Sequence, residues 1–473
     1  MGSNDTAPAG AGDSVTGQAA RFVAALEPAT IPAPVLDKAR ACVLYGFGIG
    51  LLCLRQETAR VAAQAVLALD GEAGMRGATA LAGGERVPVA SAAFANAVLL
   101  HSRCQEDTSG TAHLGVAVLA VALALLEAGL ADEADFLPAV VAGYEVGGTL
   151  EAALGRETMV ANHRASPLYG TLAAAATAAR LLRLAPERID AALANAAQFT
   201  GGTLQSIPEG SDEWRYQVGA AARSGLLAAL LARAGSVSAQ QSIEGPQGFV
   251  QAFARRAMRA GEFDFGPERR WRLPDVTFKP YPVCAHNQTV ALLGARVHQE
   301  FRPAEIAALT LRFSNYLVPG LLARGPFTRV ADTLMSSAFC CACAAVHGTV
   351  SMAGLASFDD PAILGLMART EVVPDAAVPY PAALAEIRLH DGRTVQLAER
   401  RAFADFSLGR AEVLRQLRRL AAEEDVPEHA VALLDAWAFS ATGCAPPGAV
   451  ADAFALARAG SRSAERAPLQ EAA

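Results

Sequence analysis

The stretch His101-Ser-Arg-Cys-Gln-Glu-Asp-Thr-Ser-Gly-Thr-Ala-His113 crowds two histidines, a cysteine, an arginine, two acids and two threonines into thirteen residues. It lies between two Ala-rich apolar runs, SAAFANAVLL and LGVAVLAVALALL. A polar loop between buried helices loses hydration energy unless it lines a cleft. His113 stands just ahead of the second run, near the start of an expected helix. The positive end of the helix dipole there favours a neutral imidazole or a bound anion. Asp107 and Thr108 are candidate caps for that helix. The purely structural alternative is a capping loop.

Three further loops carry chemistry. ANHRASPLYG (161–170) places His163 and Arg164 ahead of an Ala-rich helix. EGSDEWRYQVG (209–219) sets Trp214, Arg215 and Tyr216 at another helix entrance, where an arginine with aromatics suits carboxylate binding. FKPYPVCAHNQ (278–288) holds Lys279, Tyr281, Cys284 and His286, and its two prolines stiffen it as a site loop requires. Each has a bland reading as a surface turn or linker. Of 40 basic residues only Lys38 and Lys279 are lysines. A lysine kept in an arginine background offers an ammonium that titrates when buried. Lys38 is read as a chance lysine with no such context.

Cys340, Cys341 and Cys343, with Cys284 upstream, could in principle hold an iron–sulfur cluster. They sit in a small-residue helical segment where cysteine acts as a small hydrophobe, so no metal site is assigned. The chain carries no Walker loop, no dinucleotide-binding glycine fingerprint, no zinc-protease helix motif and no Gly-x-Ser-x-Gly elbow.

These loops need elements to position them. From about 15 to 260 the pattern is helical, with apolar residues recurring at three and four and breaks at Pro and Gly. The Pro- and aromatic-rich segment 266–284 reads as a domain boundary. Strand signals follow at Leu309, Leu311 and Phe313, and around Asp391-Gly392, a strong hairpin turn. From Arg410 to about Ala457 the chain is helical again and is expected to pack back on the first part.

Length and composition bound the class. The 473 residues suffice for two or three domains, and 52% hydrophobic against 18% charged residues indicates a globular chain. A net charge of −7 with no basic block argues against nucleic acid as partner. The longest apolar runs fall short of the roughly 20 residues that span a bilayer. Residues 1–18 read as a flexible leader without signal-peptide character, and 459–473 as a flexible tail. Eight cysteines at this length form no disulfide scaffold, so a reducing cytoplasm is expected.

The ordered set AAFANAVLLHS, VAGYEVGG, GTLAAAA, GAAARSGLLAALLARAG, EGPQGF and FKPYPVC, with the strand pair around Asp391-Gly392, resembles the MmgE/PrpD family over about residues 20–445. That family includes 2-methylcitrate dehydratase, cis-aconitate decarboxylase and iminodisuccinate epimerase. The resemblance implies a mainly α fold. A large all-helical domain would be built from 19–268 and 405–458, with a smaller α/β, lid-like domain inserted at 275–404. It also implies a homodimer, no cofactor, and an interdomain site whose substrates are typically small di- or tricarboxylates, with chemistry beginning at a carbon beside a carboxylate.

Residue by residue, His113 falls on the histidine of the family's His-Pro-Ser/Gly motif, with Leu114 in place of the proline. Thr108 matches a site threonine, His163 the second histidine, and Lys279 the late lysine. Two departures stand out. Cys104 occupies the position of the first aspartate in an acidic motif that continues here as Glu106 and Asp107. Trp214, with Arg215 adjacent, replaces a lysine found in many members. An Asp and a Lys that usually serve carboxylate chemistry are therefore absent, which points away from ordinary methylcitrate dehydration or aconitate decarboxylation.

The expectation is a lyase acting on an atypical carboxylate. Lys279 or His113 would remove a proton, and His163 or Tyr216 would supply one. Arg103, Arg164 and Arg215 are candidate carboxylate anchors. Cys104, Thr108, Trp214, Tyr281 and His286 are candidate substrate contacts. The alternative is an epimerase, isomerase or cyclase with no leaving group, and behind it a non-catalytic binding protein.

Overall fold

The computed structural model describes residues 14–314, 318–440 and 446–466. Long helices dominate, and the fold is mainly α. Ala165–Leu181 is buried on every face and sits among Phe136–Val160, Glu213–Ala234 and Gly115–Glu127. Alanine supplies both high helix propensity and a thin profile, so these axes approach closely. A Cβ at Gly225 would stand 2.5 Å from Ala174 Cβ, so only glycine fits that helix crossing.

Two apolar cores form. The first collects side chains from Val15 to Phe278 and again from Val413 to Ala457. The late segment returns as expected: Trp437 packs edge-on against Phe47 (5.6 Å between centroids) and Phe136 (5.1 Å). The second core runs from Val283 to Leu397 and takes in Cys104 and Trp214 from the helical part. Lys279 lies between Phe278 of the first core and Val283 of the second.

The second core rests on a four-stranded sheet, ordered Thr370–Pro374, Ile306–Phe313, Ala383–Leu389, Thr394–Glu399. The first pair is parallel and the rest antiparallel. Helices Gln288–Glu300 and Ser337–His347 complete this layer. The hairpin turns at His390–Arg393, with Gly392 at φ 90° as the tight turn requires. Cys340, Cys341 and Cys343 are buried within Ser337–His347.

The chain ends differ from expectation. Helix Val15–Ala24 begins inside the stretch read as leader, with the Ser14 hydroxyl accepting from the Gly17 N–H and Phe22 and Val23 entering the core. Gly448–Arg466 is helical into the stretch read as tail, since Val450, Ala453, Phe454 and Ala457 give it a buried face. Residues 1–13 and 467–473 lie outside the described residues. Among the described residues, no helix is long and apolar enough to cross a membrane.

Candidate active site

Where the two cores meet, a cavity of ≈130 Å³ opens between the helical part and the α/β part. The polar loop 102–114, between helices Val89–His101 and Gly115–Glu127, forms one wall. It is stitched to the boundary segment by reciprocal backbone bonds between Thr108 and Thr277, each 2.9 Å. The Tyr45 hydroxyl accepts from the Lys279 N–H at 3.0 Å and lies 2.5 Å from the Gln105 carbonyl. Both strands of the seam thus share one buried phenol.

Glu106 organises the centre. Lys279 Nζ donates to its Oε1 at 2.6 Å, His113 Nδ1 lies 3.3 Å from the same oxygen, and His101 Nδ1 lies 3.0 Å from Oε2. Burial opposes ionisation of Glu106, but the Lys279 ammonium, with the His101 Nδ1–H facing the other oxygen, outweighs it and holds the carboxyl well below its usual range. Burial likewise works against the Lys279 ammonium. The Glu106 carboxylate to which it donates reverses that effect and holds it charged. Lys279 also donates to the Cys104 carbonyl at 3.0 Å.

Both histidines are neutral. Burial drives His113 well below its ordinary value, with Lys279 adding to the effect. Burial pushes His101 down to about 4. Their tautomers follow from their partners. His113 Nδ1 stands 2.8 Å from the Asp107 carbonyl, which only an N–H can satisfy, so Nε2 carries the lone pair. His101 Nε2 receives Arg164 Nη2 at 2.6 Å, so its proton is on Nδ1, facing Glu106.

The His113 ring is held from behind. Its backbone N–H donates to Ser166 Oγ at 3.2 Å. Asp107 accepts from the Tyr144 hydroxyl and from the Gly115 N–H. A Cβ at Gly115 would come within 2.4 Å of the Asp107 carboxylate, so the helix must start with glycine. Asp107 therefore does hold the helix entrance, as expected, while Thr108 spends its backbone on Thr277 instead. Burial raises Asp107 to about 6.

The cavity brings together His113, His163, Lys279, Cys104 and Thr108, and adds Arg164, Trp214 and His286. His163 is half-buried at the rim, its ring edge-on to Phe253 at 5.0 Å. His286 comes from the α/β side, 4.5 Å from the Tyr380 ring, and burial lowers it to about 4. Cys104 adopts φ 56°, and burial pushes its thiol up to about 12, so it stands as a neutral wall.

Four expected site residues do not line the cavity. Arg103 is buried and bound to Glu424 Oε1 at 2.5 Å, tying the loop to the returning C-terminal helices. Arg215 is held by Asp212 (2.8 Å) and the Ser102 carbonyl (3.1 Å), and its guanidinium lies 4.0 Å from the Trp214 ring. Tyr216 is not among the lining residues, and Tyr281 packs against the second core while its backbone N–H donates to Gln288 Oε1 at 3.1 Å. The two arginines stay out because the carboxylates of Glu424 and Asp212, and for Arg215 the Ser102 carbonyl, already claim their donors.

Other members went unrecognised. His101 and Glu106 lie in the same polar island, whose density was the signal. Tyr380 and Ser166 carried none, since their approach is purely tertiary. Lys38 is a correction: it is buried, 4.1 Å over the Phe278 ring, and donates to Ser407 Oγ at 2.9 Å. Both lysines therefore brace the boundary segment. Among the described residues, no group of three or more His, Cys, Asp or Glu is arranged to hold a metal ion.

Comparison with known proteins agrees with this architecture. The chain is 28% identical over 305 residues to the cis-aconitate decarboxylase-like protein oryM of Aspergillus oryzae, covering 61% of this chain and 62% of that protein. It is 26% identical over 259 residues to the cis-aconitate decarboxylase of Aspergillus terreus, covering 53% and 52%. It is 31% identical over 245 residues to the human cis-aconitate decarboxylase, covering 49% of each. The matched region spans about half to three-fifths of these relatives' lengths. The MmgE/PrpD N-terminal domain matches residues 17–259 and the MmgE/PrpD C-terminal domain matches 281–432. On these matches, and on a two-core fold with its polar cluster at the seam, the chain belongs to the MmgE/PrpD family.

Proposed function

We propose that this protein is a cofactor-independent lyase acting on a small carboxylate. The observation that carries the reading is that neutral His113 and ammonium Lys279 share the Glu106 carboxylate and face one cavity. His113 Nε2 is the base, abstracting a proton from the carbon beside the substrate carboxylate. The Lys279 ammonium lies against that carboxylate and offsets the charge that develops on it. The C–H electrons become the new C=C bond, the C–O bond on the neighbouring carbon breaks, and the proton on His113 leaves with the hydroxyl as water. His163, at the rim, is the alternative donor of the proton to the leaving hydroxyl, in which case His113 keeps the proton it abstracted.

A second reading is decarboxylation, favoured by the names of the relatives. There the C–C bond to a carboxylate breaks, CO2 departs, and His113 or Lys279 protonates carbon. Mass spectrometry of reactions in deuterated water tests both. Loss of water supports the first, loss of CO2 the second, and unchanged mass with deuterium uptake an isomerase. Neither deuterium uptake nor mass change with any of a panel of small carboxylates would sink a catalytic role.

A further inference from the structure

The cavity lining is mostly uncharged. Among the described residues lining it, the cations are Lys279 and Arg164, and no Asp or Glu is present. Both cations are partly committed. Lys279 is bound to Glu106 and the Cys104 carbonyl, and Arg164 to His101 and the Trp214 carbonyl. Counting Glu106, two cations and one carboxylate leave a single net positive charge. The lining histidines His113, His163 and His286 are all shifted toward the neutral form, chiefly by burial.

Six larger apolar side chains also line the cavity: Met159, Leu204, Ile207, Val318, Leu334 and Met335. Leu204 and Ile207 come from the loop after helix Pro186–Phe199, Leu334 and Met335 from the α/β side. None of these six would pair with a second or third carboxylate. Burying such a group there would strip its water without compensation. An alkyl or aryl body would gain from the same burial.

We infer that the substrate is a monocarboxylate with an apolar body, its carboxylate at Lys279 and its tail against Ile207, Leu334 and Met335. This rests on the proposed lyase reading for which bond reacts, but the preference itself is one of binding. It also gives a physical role to the departures at Cys104 and Trp214, which place a neutral thiol and an indole where a charged pair would favour a more highly charged ligand.

Isothermal titration of the full chain with butanoate, hexanoate, octanoate, succinate and citrate tests it. Affinity is expected to rise by about 4-fold for each methylene buried along the monocarboxylate series, with succinate and citrate weaker than hexanoate. Ile207→Arg, at a half-buried loop position, should raise succinate affinity over hexanoate by about 10-fold or more relative to wild type. Tighter binding of citrate or succinate than hexanoate by wild type overturns the inference, as does no binding of any monocarboxylate. Expected binding without turnover of any carboxylate removes the lyase reading and leaves this one. Turnover with a citrate preference does the reverse.

Discussion

Lys279 Nζ stands 2.6 Å from Glu106 Oε1, and both side chains are buried at the seam between the two apolar cores. The pair fixes the charge state of the site, because each ion exists in that place only by virtue of the other. Removing one member leaves the other charge uncompensated.

Glu106→Gln is therefore expected to lower kcat/KM by about 100-fold or more and to destabilise the fold by about 3–5 kcal/mol. Lys279→Met should cut turnover by about 100-fold or more. Steady-state kinetics with thermal unfolding separates the two effects. Near-normal turnover in Lys279→Met would remove Lys279 from the chemistry.

Asp107 carries a measurable pH signature. Burial raises its folded value to about 6 from 3.8, so the folded state binds a proton more tightly than the unfolded chain. The stability this contributes is present at low pH and is lost as pH rises through about 6, by about 3 kcal/mol in all. Asp107→Asn lacks that loss. Its Tm relative to wild type should improve between about pH 4 and about pH 8. A pH-independent difference would show that Asp107 is ionised throughout.

Cys104 is a neutral wall with its thiol pushed up to about 12, chiefly by burial. Cys104→Ser should keep kcat within about 10-fold of wild type, and iodoacetamide should label the thiol slowly at neutral pH. Cys104→Asp is expected to fold, since φ 56° is a backbone region that aspartate tolerates. Its new carboxylate would compete with substrate for Lys279 and raise KM. Rapid labelling or a dead Cys104→Ser variant would make the thiol a reacting group.

Tyr216 and Arg103 test the boundary of the site from outside. Tyr216→Phe should hold kcat/KM within about 2-fold, because the phenol does not line the cavity. Arg103→Ala should lower Tm, since it strands Glu424 and loosens the loop from the returning helices, with KM changed far less than stability. A large kcat loss in Tyr216→Phe with unchanged Tm would restore it as a proton donor.

Much of the fold was legible because its determinants are local. The Ala- and Leu-rich periodicity marked the helices, and Pro and Gly marked their ends. Asp391-Gly392 located a hairpin whose flanking strands pair as the alternation at Ile387, Leu389, Val395 and Leu397 requires. The polar loops stood out against an apolar background, and seven of the eight cavity-lining expectations came from three of them, 101–113, 161–170 and 278–288. At the chain ends the reading failed. Low-complexity composition suggested flexibility at Val15–Gln18, but Phe22 and Val23 gave that helix a core to bury against.

By itself the sequence determined which residues could do chemistry and that the helical pattern breaks at 266–284, because side-chain type and local periodicity are written along the chain. Only the tertiary structure decided which of them act together. Lys279 and Glu106 are 173 residues apart, and their pairing depends on how the boundary segment docks on the first helices. The same docking assigned Arg103 and Arg215 to structural carboxylates and carbonyls, and left His113 neutral with its free nitrogen. Charge state and tautomer follow from burial and from partners distant in sequence, and those exist only once the chain has folded.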